Sequence, residues 1–422
     1  MKIAKRATIG WCLYDWANSA FPTIIGTFIF SVYYAQAIHG DANEGARDWT
    51  FALSISGVIV ALASPVLGAI ADHAGGLKRW LGLFTALTAA GSGLLWFAEP
   101  DPAFAFFALA VVVLSAASLD LGQVFYNALL TPNAPPGMLG RVSGWGWGIG
   151  YFGGLTALAL TLVGFVGLGD MLQPLFALDR ESAQHVRIVG PLTGIWFVIF
   201  CLPLFLFSND FPPTGLSIRK AVPKGLKVLA QTLGALKQEG QVLRFLIASA
   251  IYRDGLTTLF AVGGLFAAGV HGMDTGQILI FAIGLNVTAG LGAAGFAWMD
   301  DGMGSRITVL VSLAGLILVG VPLLLVDDFM IFIGLALVLG IFVGPTQAAS
   351  RSLMARLAPD DKEAEYFGLY SLTGKAAAIF GPALYGLGTA IFDSQRAGMA
   401  VVVAMFVLGA GILLTVREPE TP

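Results

Sequence analysis

The chain has 422 residues, 57% of them hydrophobic and only 12% charged, with a formal net charge of −3. A water-soluble domain carries about 25% charged residues, so this composition, with a mean hydropathy of +0.81, excludes a soluble or nucleic-acid-binding protein. Cys12 and Cys201 lie far apart in apolar stretches and the four histidines are scattered, which leaves neither a disulfide framework nor metal-ligand spacing.

Taken from the N-terminus, twelve stretches are long and apolar enough to cross a bilayer. They lie near residues 9–37, 50–72, 80–98, 103–127, 143–168, 188–208, 243–270, 275–298, 306–326, 329–350, 366–391 and 396–416. The first is too long for a signal peptide. It holds Asp15 in the run Trp11-Cys12-Leu13-Tyr14-Asp15-Trp16-Ala17-Asn18-Ser19. A carboxylate at that depth costs about 3 kcal/mol to insert and marks a functional face by default. Asp15, Asn18 and Ser19 share one side of a helix. That side either lines an aqueous path or pairs with a neighbouring helix.

The loop after span two reads Gly68-Ala69-Ile70-Ala71-Asp72-His73-Ala74-Gly75-Gly76-Leu77-Lys78-Arg79. Span four carries Asp120, Gln123 and Asn127 at i, i+3 and i+7, a stripe suited to a wet wall. Asp120 and Asp15 fall at similar depth, and paired carboxylates are one way to build a proton carrier. In span five, Gly146, Gly150 and Gly154 form a bare ridge, read as a sliding contact between two halves of the molecule. Trp145, Trp147 and Tyr151 beside it are interfacial anchors or the rim of a solute cavity.

A polar stretch from Asn209 to Gly215 follows span six, then a basic segment to Gln241. Leu226, Leu229, Leu233 and Leu236, with Lys224, Lys227 and Lys237 around them, predict an amphipathic helix on the membrane face. A flexible basic loop is the alternative. Span seven carries Tyr252-Arg253-Asp254, with Thr257 and Thr258 on the side of Asp254. The loop before span nine reads Met299-Asp300-Asp301-Gly302-Met303-Gly304-Ser305-Arg306. From Asp72 and from Asp300 alike, a glycine stands four residues on and a base six on. Span eleven holds Lys375 and is studded by Gly374, Gly381-Pro382 and Gly386.

These echoes predict an all-α membrane protein of two pseudo-symmetric six-helix bundles, as in duplicated transporters. The bundles cover residues 1–208 and 242–422, joined by a linker over 209–241. Basic residues crowd alternate loops, from Lys5, Arg6, Lys78, Arg79 and Arg141 to Arg306, Arg356, Lys362 and Arg417. The other loops hold only Arg47, Arg180, Arg187 and Arg396, which predicts both termini in the cytoplasm.

The 68–79 loop resembles the loop motif of the major facilitator superfamily, with one inserted residue and His73 where a base is usual. More narrowly, Tyr14-Asp15-Trp16-Ala17-Asn18-Ser19-Ala20-Phe21, Phe125-Tyr126-Asn127-Ala128-Leu129-Leu130, Gly150-Tyr151-Phe152-Gly153-Gly154 and Gln347-Ala348-Ala349-Ser350-Arg351-Ser352 resemble the vacuolar amino-acid effluxers of the autophagy pathway and their bacterial relatives. Arg253 departs from that pattern, where a neutral residue is expected. The resemblance implies the major facilitator fold and solute transport, with amino acids the leading class and efflux the direction. It implies that Asp72, Lys78, Arg79, Asp300, Arg306 and Arg351 gate the cytoplasmic side.

The resulting expectation is a monomeric secondary transporter that uses alternating access, without cofactor or metal, in a bacterial inner membrane or else a vacuolar one. Its partners are a small solute, protons and the lipid bilayer. Asp15, Asp120 and Asp254 are the candidate proton carriers. Tyr14, Asn18, Tyr126, Asn127, Trp145, Tyr252, Arg253, Gln347 and Lys375 are the candidate solute-binding groups. Lys375 either pairs with Asp254 or holds a substrate carboxylate, a role equally open to Arg253. A lipid or lysolipid transporter and a transporter-like solute sensor are the alternatives. A membrane enzyme lacks support: there is no Ser-His-Asp set, no His-Glu-x-x-His and no phosphate loop.

Overall fold

A computed structural model describes residues 2–167, 172–212, 214, 216–236 and 240–419. Among these, twelve helices are long and apolar enough to cross a membrane. They are span 1 (Lys5–Ile38), span 2 (Ala42–Ala74), span 3 (Leu77–Phe97), span 4 (Pro102–Ala128), span 5 (Leu139–Val166) and span 6 (Gln184–Phe207). Then come span 7 (Gly240–His271), span 8 (Gly276–Met303), span 9 (Ser305–Leu325), span 10 (Phe329–Leu357), span 11 (Glu363–Phe392) and span 12 (Gln395–Leu413). Large apolar side chains lie on the outside, Phe106 at 85% exposure and Leu318 at 73%. That inversion suits a lipid solvent, and the protein is integral to a membrane. The end of the spans that carries Lys78, Arg141, Arg306 and Arg356 is called here the basic end.

Two spans are interrupted. In span 1 the α-helix stops at Asn18 and resumes as a π-helical stretch, Phe21–Phe28, because Pro22 has no amide to give the preceding turn. Span 11 is two half-helices, Glu363–Ala377 and Phe380–Phe392, which part just before Gly381-Pro382.

The chain divides into two compact units. The first holds Met1–Val60, Gly76–Leu129 and Ile149–Phe211. Its basic-end core is aromatic: Tyr126 stacks on Trp11 at 4.5 Å and on Tyr14 at 4.7 Å. Glycines let its helices touch. Gly150 lies against Asp15 and Ser19, Gly153 against the Trp16 backbone, and Gly154 against Ser19 and Thr23. The ridge through Gly150 and Gly154 therefore seats span 5 on span 1 inside this unit, a correction to its reading as a sliding surface.

The second unit holds Ala61–Gly75, Leu130–Gly148 and Pro212–Pro422, so it includes the basic ends of spans 2 and 5. Here another glycine row, Gly140, Gly144 and Gly148, faces Asp300, Ala297 and Gly290 of span 8. Two residues along a helix turn its face by about 200°, which is why Gly148 and Gly150 serve different neighbours. Gly68 of span 2 meets the Ala364 carbonyl, and Gly368 of span 11 meets the Ser64 carbonyl. A helix does form in the linker, at Ile218–Ala235. It splits the leucine stripe: Leu229 and Leu236 are buried with Ala221, Gly225 and Thr232, while Leu226 and Leu233 stay exposed. Lys237 lies outside the described residues.

The glycine contacts give a direct test. A methyl group on Gly153 would sit 2.6 Å from the Trp16 carbonyl, whereas nothing lies within 4 Å of the corresponding point on Gly57. Gly153→Ala should cost about 1–3 kcal/mol of overpacking. Its melting temperature in detergent should fall by several degrees, and that of Gly57→Ala should not.

Candidate functional site

The Tyr14-Asp15-Trp16 run sends three adjacent side chains to three neighbours, since each residue turns about 100° from the last. Tyr14 enters the aromatic core, its hydroxyl 2.9 Å from Thr85 Oγ1 on span 3. Trp16 stacks on Trp196 of span 6 at 5.8 Å, and its carbonyl accepts from the Trp196 indole at 3.3 Å. Asp15 turns toward span 5, where Gly150 leaves room for it. The Asn18 amide donates to Asp15 Oδ1 at 3.5 Å, and the Ser19 hydroxyl donates to the Asp15 carbonyl at 2.7 Å. Asp15 and Asn18 are buried; Asp120, Gln123 and Asn127 on span 4 are half-buried. Gly122, between the polar residues of that stripe, packs against the Tyr14 hydroxyl.

The tyrosines are placed by packing. Tyr126 donates its hydroxyl to the Trp11 carbonyl at 3.2 Å and receives the Trp11 indole on its own carbonyl at 3.0 Å. In the second unit Tyr252 is fully buried, 2.6 Å from Ser350 Oγ. Arg253 lies with its guanidinium carbon 3.9 Å from the Tyr370 ring centre and donates to the Tyr370 carbonyl at 3.2 Å. Asp254 is buried, and its Oδ2 accepts the Gly381 amide at 2.8 Å, at the start of the second half of span 11. Thr258 is buried beside it while Thr257 is exposed, so only one of the two threonines shares its surroundings. Gln347 and Lys375 are half-buried. Trp145 meets Trp298 edge-on at 5.9 Å.

At the basic end of the second unit, acids bind the first amides of helices. Asp72, at the end of span 2, accepts from Ala364 N at 3.1 Å and Glu365 N at 2.8 Å, in the first turn of span 11. Asp301, at the end of span 8, accepts from Gly140 N at 2.7 Å and Arg141 N at 3.2 Å, in the first turn of span 5. The two arrangements correspond. The expected counterpart of Asp72 was Asp300, but the capping role falls one residue later. Asp300 instead accepts from Ser352 Oγ at 2.6 Å, from Ser305 Oγ and from Arg356 at 3.2 Å.

Lys78 and Arg306 also correspond, and each bonds within its own unit. The Lys78 ammonium donates to the Phe205 and Ser208 carbonyls at the end of span 6. Arg306 donates to the Leu413 and Leu414 carbonyls at the end of span 12. Asp210 then accepts the Lys78 amide at 3.3 Å, and Glu418 accepts those of Ser305 and Arg306 at 3.0 and 2.8 Å. Burial pushes the Asp210 carboxyl above its ordinary range, against the pull of the Lys78 and Phe211 amides. Arg79 is exposed. Arg351, buried in span 10, donates to Ser143 Oγ at 2.9 Å and to the Ser143 carbonyl at 2.7 Å, which ties spans 10 and 5 together.

Ser143, Asp301, Ser352, Arg356 and Glu418 were missed by sequence reasoning, as was Glu365, whose buried carboxylate oxygens have no hydrogen-bond partner among the described residues. A search for acids placed to reach a helix start would have found Asp301 and Glu418.

The twelve spans and the relatives that follow make the protein a membrane transporter of the major facilitator superfamily. Two solved transporters of that superfamily have the same fold over nearly the whole chain. The fucose transporter FucP in the outward conformation gives a TM-score of 0.71 at 14% identity, covering 98% of this chain and 99% of that one. The proton:xylose symporter XylE gives 0.70 at 12%, covering 99% and 96%. Residues 138–420 match the family described as vacuole effluxer Atg22 like, and the chain belongs to that family. The MFS-type transporter YxiO of Bacillus subtilis is 26% identical over 99% of this chain and 96% of its own length. Autophagy-related protein 22 of Yarrowia lipolytica is 24% identical over 65% of this chain, a match that spans half of the fungal protein. These relatives are transporters, not enzymes.

An amide cap contributes about 1 kcal/mol. Asp301→Ala should therefore speed hydrogen exchange at Gly140 and Arg141 about fivefold, and Asp72→Ala should do the same at Ala364 and Glu365. Unchanged protection in both variants would remove the caps from the account.

Proposed function

We propose that the protein is a secondary active transporter that moves a small organic solute, amino acids being the leading class, outward by alternating access with proton coupling. The observation that carries this reading is the make-up of the two contacts at the basic end, span 2 on span 11 and span 5 on span 8. Each is a glycine-lined close approach held by a few hydrogen bonds from Asp72 or Asp301. Bonds to a carboxylate are worth about 1.5–3 kcal/mol each, so a few of them can form and part within a transport cycle. A large apolar plug would not part so readily.

With the basic end facing the cytoplasm, as the loop charges favour, these contacts act as the cytoplasmic gate in this reading, and Arg351 on Ser143 adds a third tie. In this reading Asp72, Asp300 and Arg351 belong to the gate, while Lys78 and Arg306 brace the helix ends beside it. In the first unit Asp15, supported by Asn18, and Asp120 carry the proton. In the second, Arg253, Gln347 and Lys375 are the groups suited to a substrate carboxylate. Tyr14, Tyr126 and Tyr252 contribute by holding the charged residues beside them in place. Descent from the Atg22-like family supports efflux, and the match to YxiO along its whole length supports a bacterial inner membrane.

Purified protein in proteoliposomes should show counterflow with some members of an amino-acid panel. Asp15→Asn should keep its melting temperature within a few degrees and lose proton-driven transport at least tenfold while exchange persists. Proton-driven transport at the wild-type rate in Asp15→Asn would refute the coupling role.

A further inference from the structure

The linker helix, Ile218–Ala235, docks on the second unit by one face only. Its buried residues Ala221, Gly225, Leu229 and Thr232 lie four, four and three residues apart, the spacing of a single helix side. At Gly225 the helix meets span 2 so closely that a methyl group would lie 2.9 Å from the Ala69 carbonyl and 3.0 Å from the Ile70 backbone. Two side-chain bonds fasten the linker further. The Thr214 hydroxyl donates to the His73 carbonyl at 2.5 Å, and the Lys362 ammonium donates to Thr232 Oγ1 at 3.3 Å.

The rest of the helix is uncovered, and it has two different flanks. At about 100° per residue, Leu226, Ala230 and Leu233 fall on one flank with Arg219, and Lys220, Lys224 and Lys227 fall on the other. All seven are exposed. From Phe211 to Lys237 the chain holds no acid, although its formal net charge is −3, so the bases of this face are not balanced from their own helix. A partner must therefore be anionic and must offer apolar surface beside its charge. Nucleic acid and acidic polypeptide meet the first need and leave the leucines in water. An anionic membrane interface meets both: acyl chains take the leucine flank, while lysine stems reach along it to phosphates at the level of the headgroups. Each base near such a surface contributes about 1 kcal/mol, and the helix is already held at the ends of spans 2 and 11.

We propose that the uncovered face of the linker helix binds anionic phospholipid in the leaflet at the basic end. Arg219, Lys220, Lys224 and Lys227 meet the headgroups, and Leu226 and Leu233 meet the acyl chains. The anchors of the helix stand on both sides of the Asp72 contact: Ala69 and Ile70 just before Asp72, and Lys362 just before Ala364. Lipid held on the helix therefore braces that contact. The bracing matters to transport only under the gate reading above; the lipid surface does not rest on it.

The test is hydrogen exchange of the full-length protein in nanodiscs of phosphatidylcholine, alone or with phosphatidylglycerol as a third of the lipid. Phosphatidylglycerol should slow exchange over residues 218–235 at least fivefold, and the effect should fade at high salt. Exchange at Ala364 and Glu365 should slow with it. Combining Lys220→Gln, Lys224→Gln and Lys227→Gln should abolish both effects; these side chains are exposed, so the variant should keep its melting temperature in detergent. Combining Leu226→Ser and Leu233→Ser should weaken protection with every charge in place. Equal exchange in the two nanodiscs, or an undiminished effect in either variant, would overturn the lipid surface. So would equal protection by polyglutamate or an oligonucleotide added to phosphatidylcholine nanodiscs. Slowing over 218–235 with none at Ala364 and Glu365 would overturn the bracing. No solute or proton gradient enters these measurements, so failure here and failure of the Asp15 coupling experiment are read separately.

Discussion

The first amides of a helix have no partner within it, and at the edge of a bilayer they cannot be left bare. This molecule meets that constraint with carboxylates sent from other elements. Asp210 serves span 3, Asp301 span 5, Glu418 span 9 and Asp72 span 11. Asp254 does the same inside the membrane, at the second half of span 11. The complementary need, carbonyls at helix ends, is met by Lys78 at span 6 and Arg306 at span 12. Charges that look like loop decoration are thus the fasteners of the basic end.

Glycine decides where those fasteners can reach. The Asp72 bonds to span 11 are short because Gly68 and Gly368 bring the two backbones together, and the Asp301 bonds depend likewise on Gly140 and Gly144. The same span 5 uses Gly150, Gly153 and Gly154 on a different side to seat span 1. One helix therefore makes a contact within the first unit and another within the second. The first supports Asp15, and the second holds a closure that can part.

Much of this was legible in the chain. Twelve apolar stretches, an acid within span 1 and the echo between 68–79 and 299–306 are patterns of hydropathy and spacing, and the structure keeps them. The echo also located the paired bases Lys78 and Arg306. It misassigned the cap, because Asp300 and Asp301 are adjacent and both lie against span 5, and only the packed structure says which one reaches its first amides. The Gly146, Gly150 and Gly154 ridge was visible as a ridge, yet its partner was not. Periodicity names a face of a helix without naming what lies across from it. The leucine stripe of the linker failed in the same manner, since docking divided it between Leu229 and Leu226.

By itself the sequence determined the solvent, the number and length of the spans, and the intramembrane acids, because each follows from local composition and the cost of burying charge. The tertiary structure alone decided which oxygen meets which amide. Arg253 settles on Tyr370, Arg351 on Ser143 and Asp254 at the broken helix because residues more than a hundred positions apart are brought within hydrogen-bond reach. Hydrogen bonds are directional and short-ranged, so no spacing along the chain encodes them until the helices have packed.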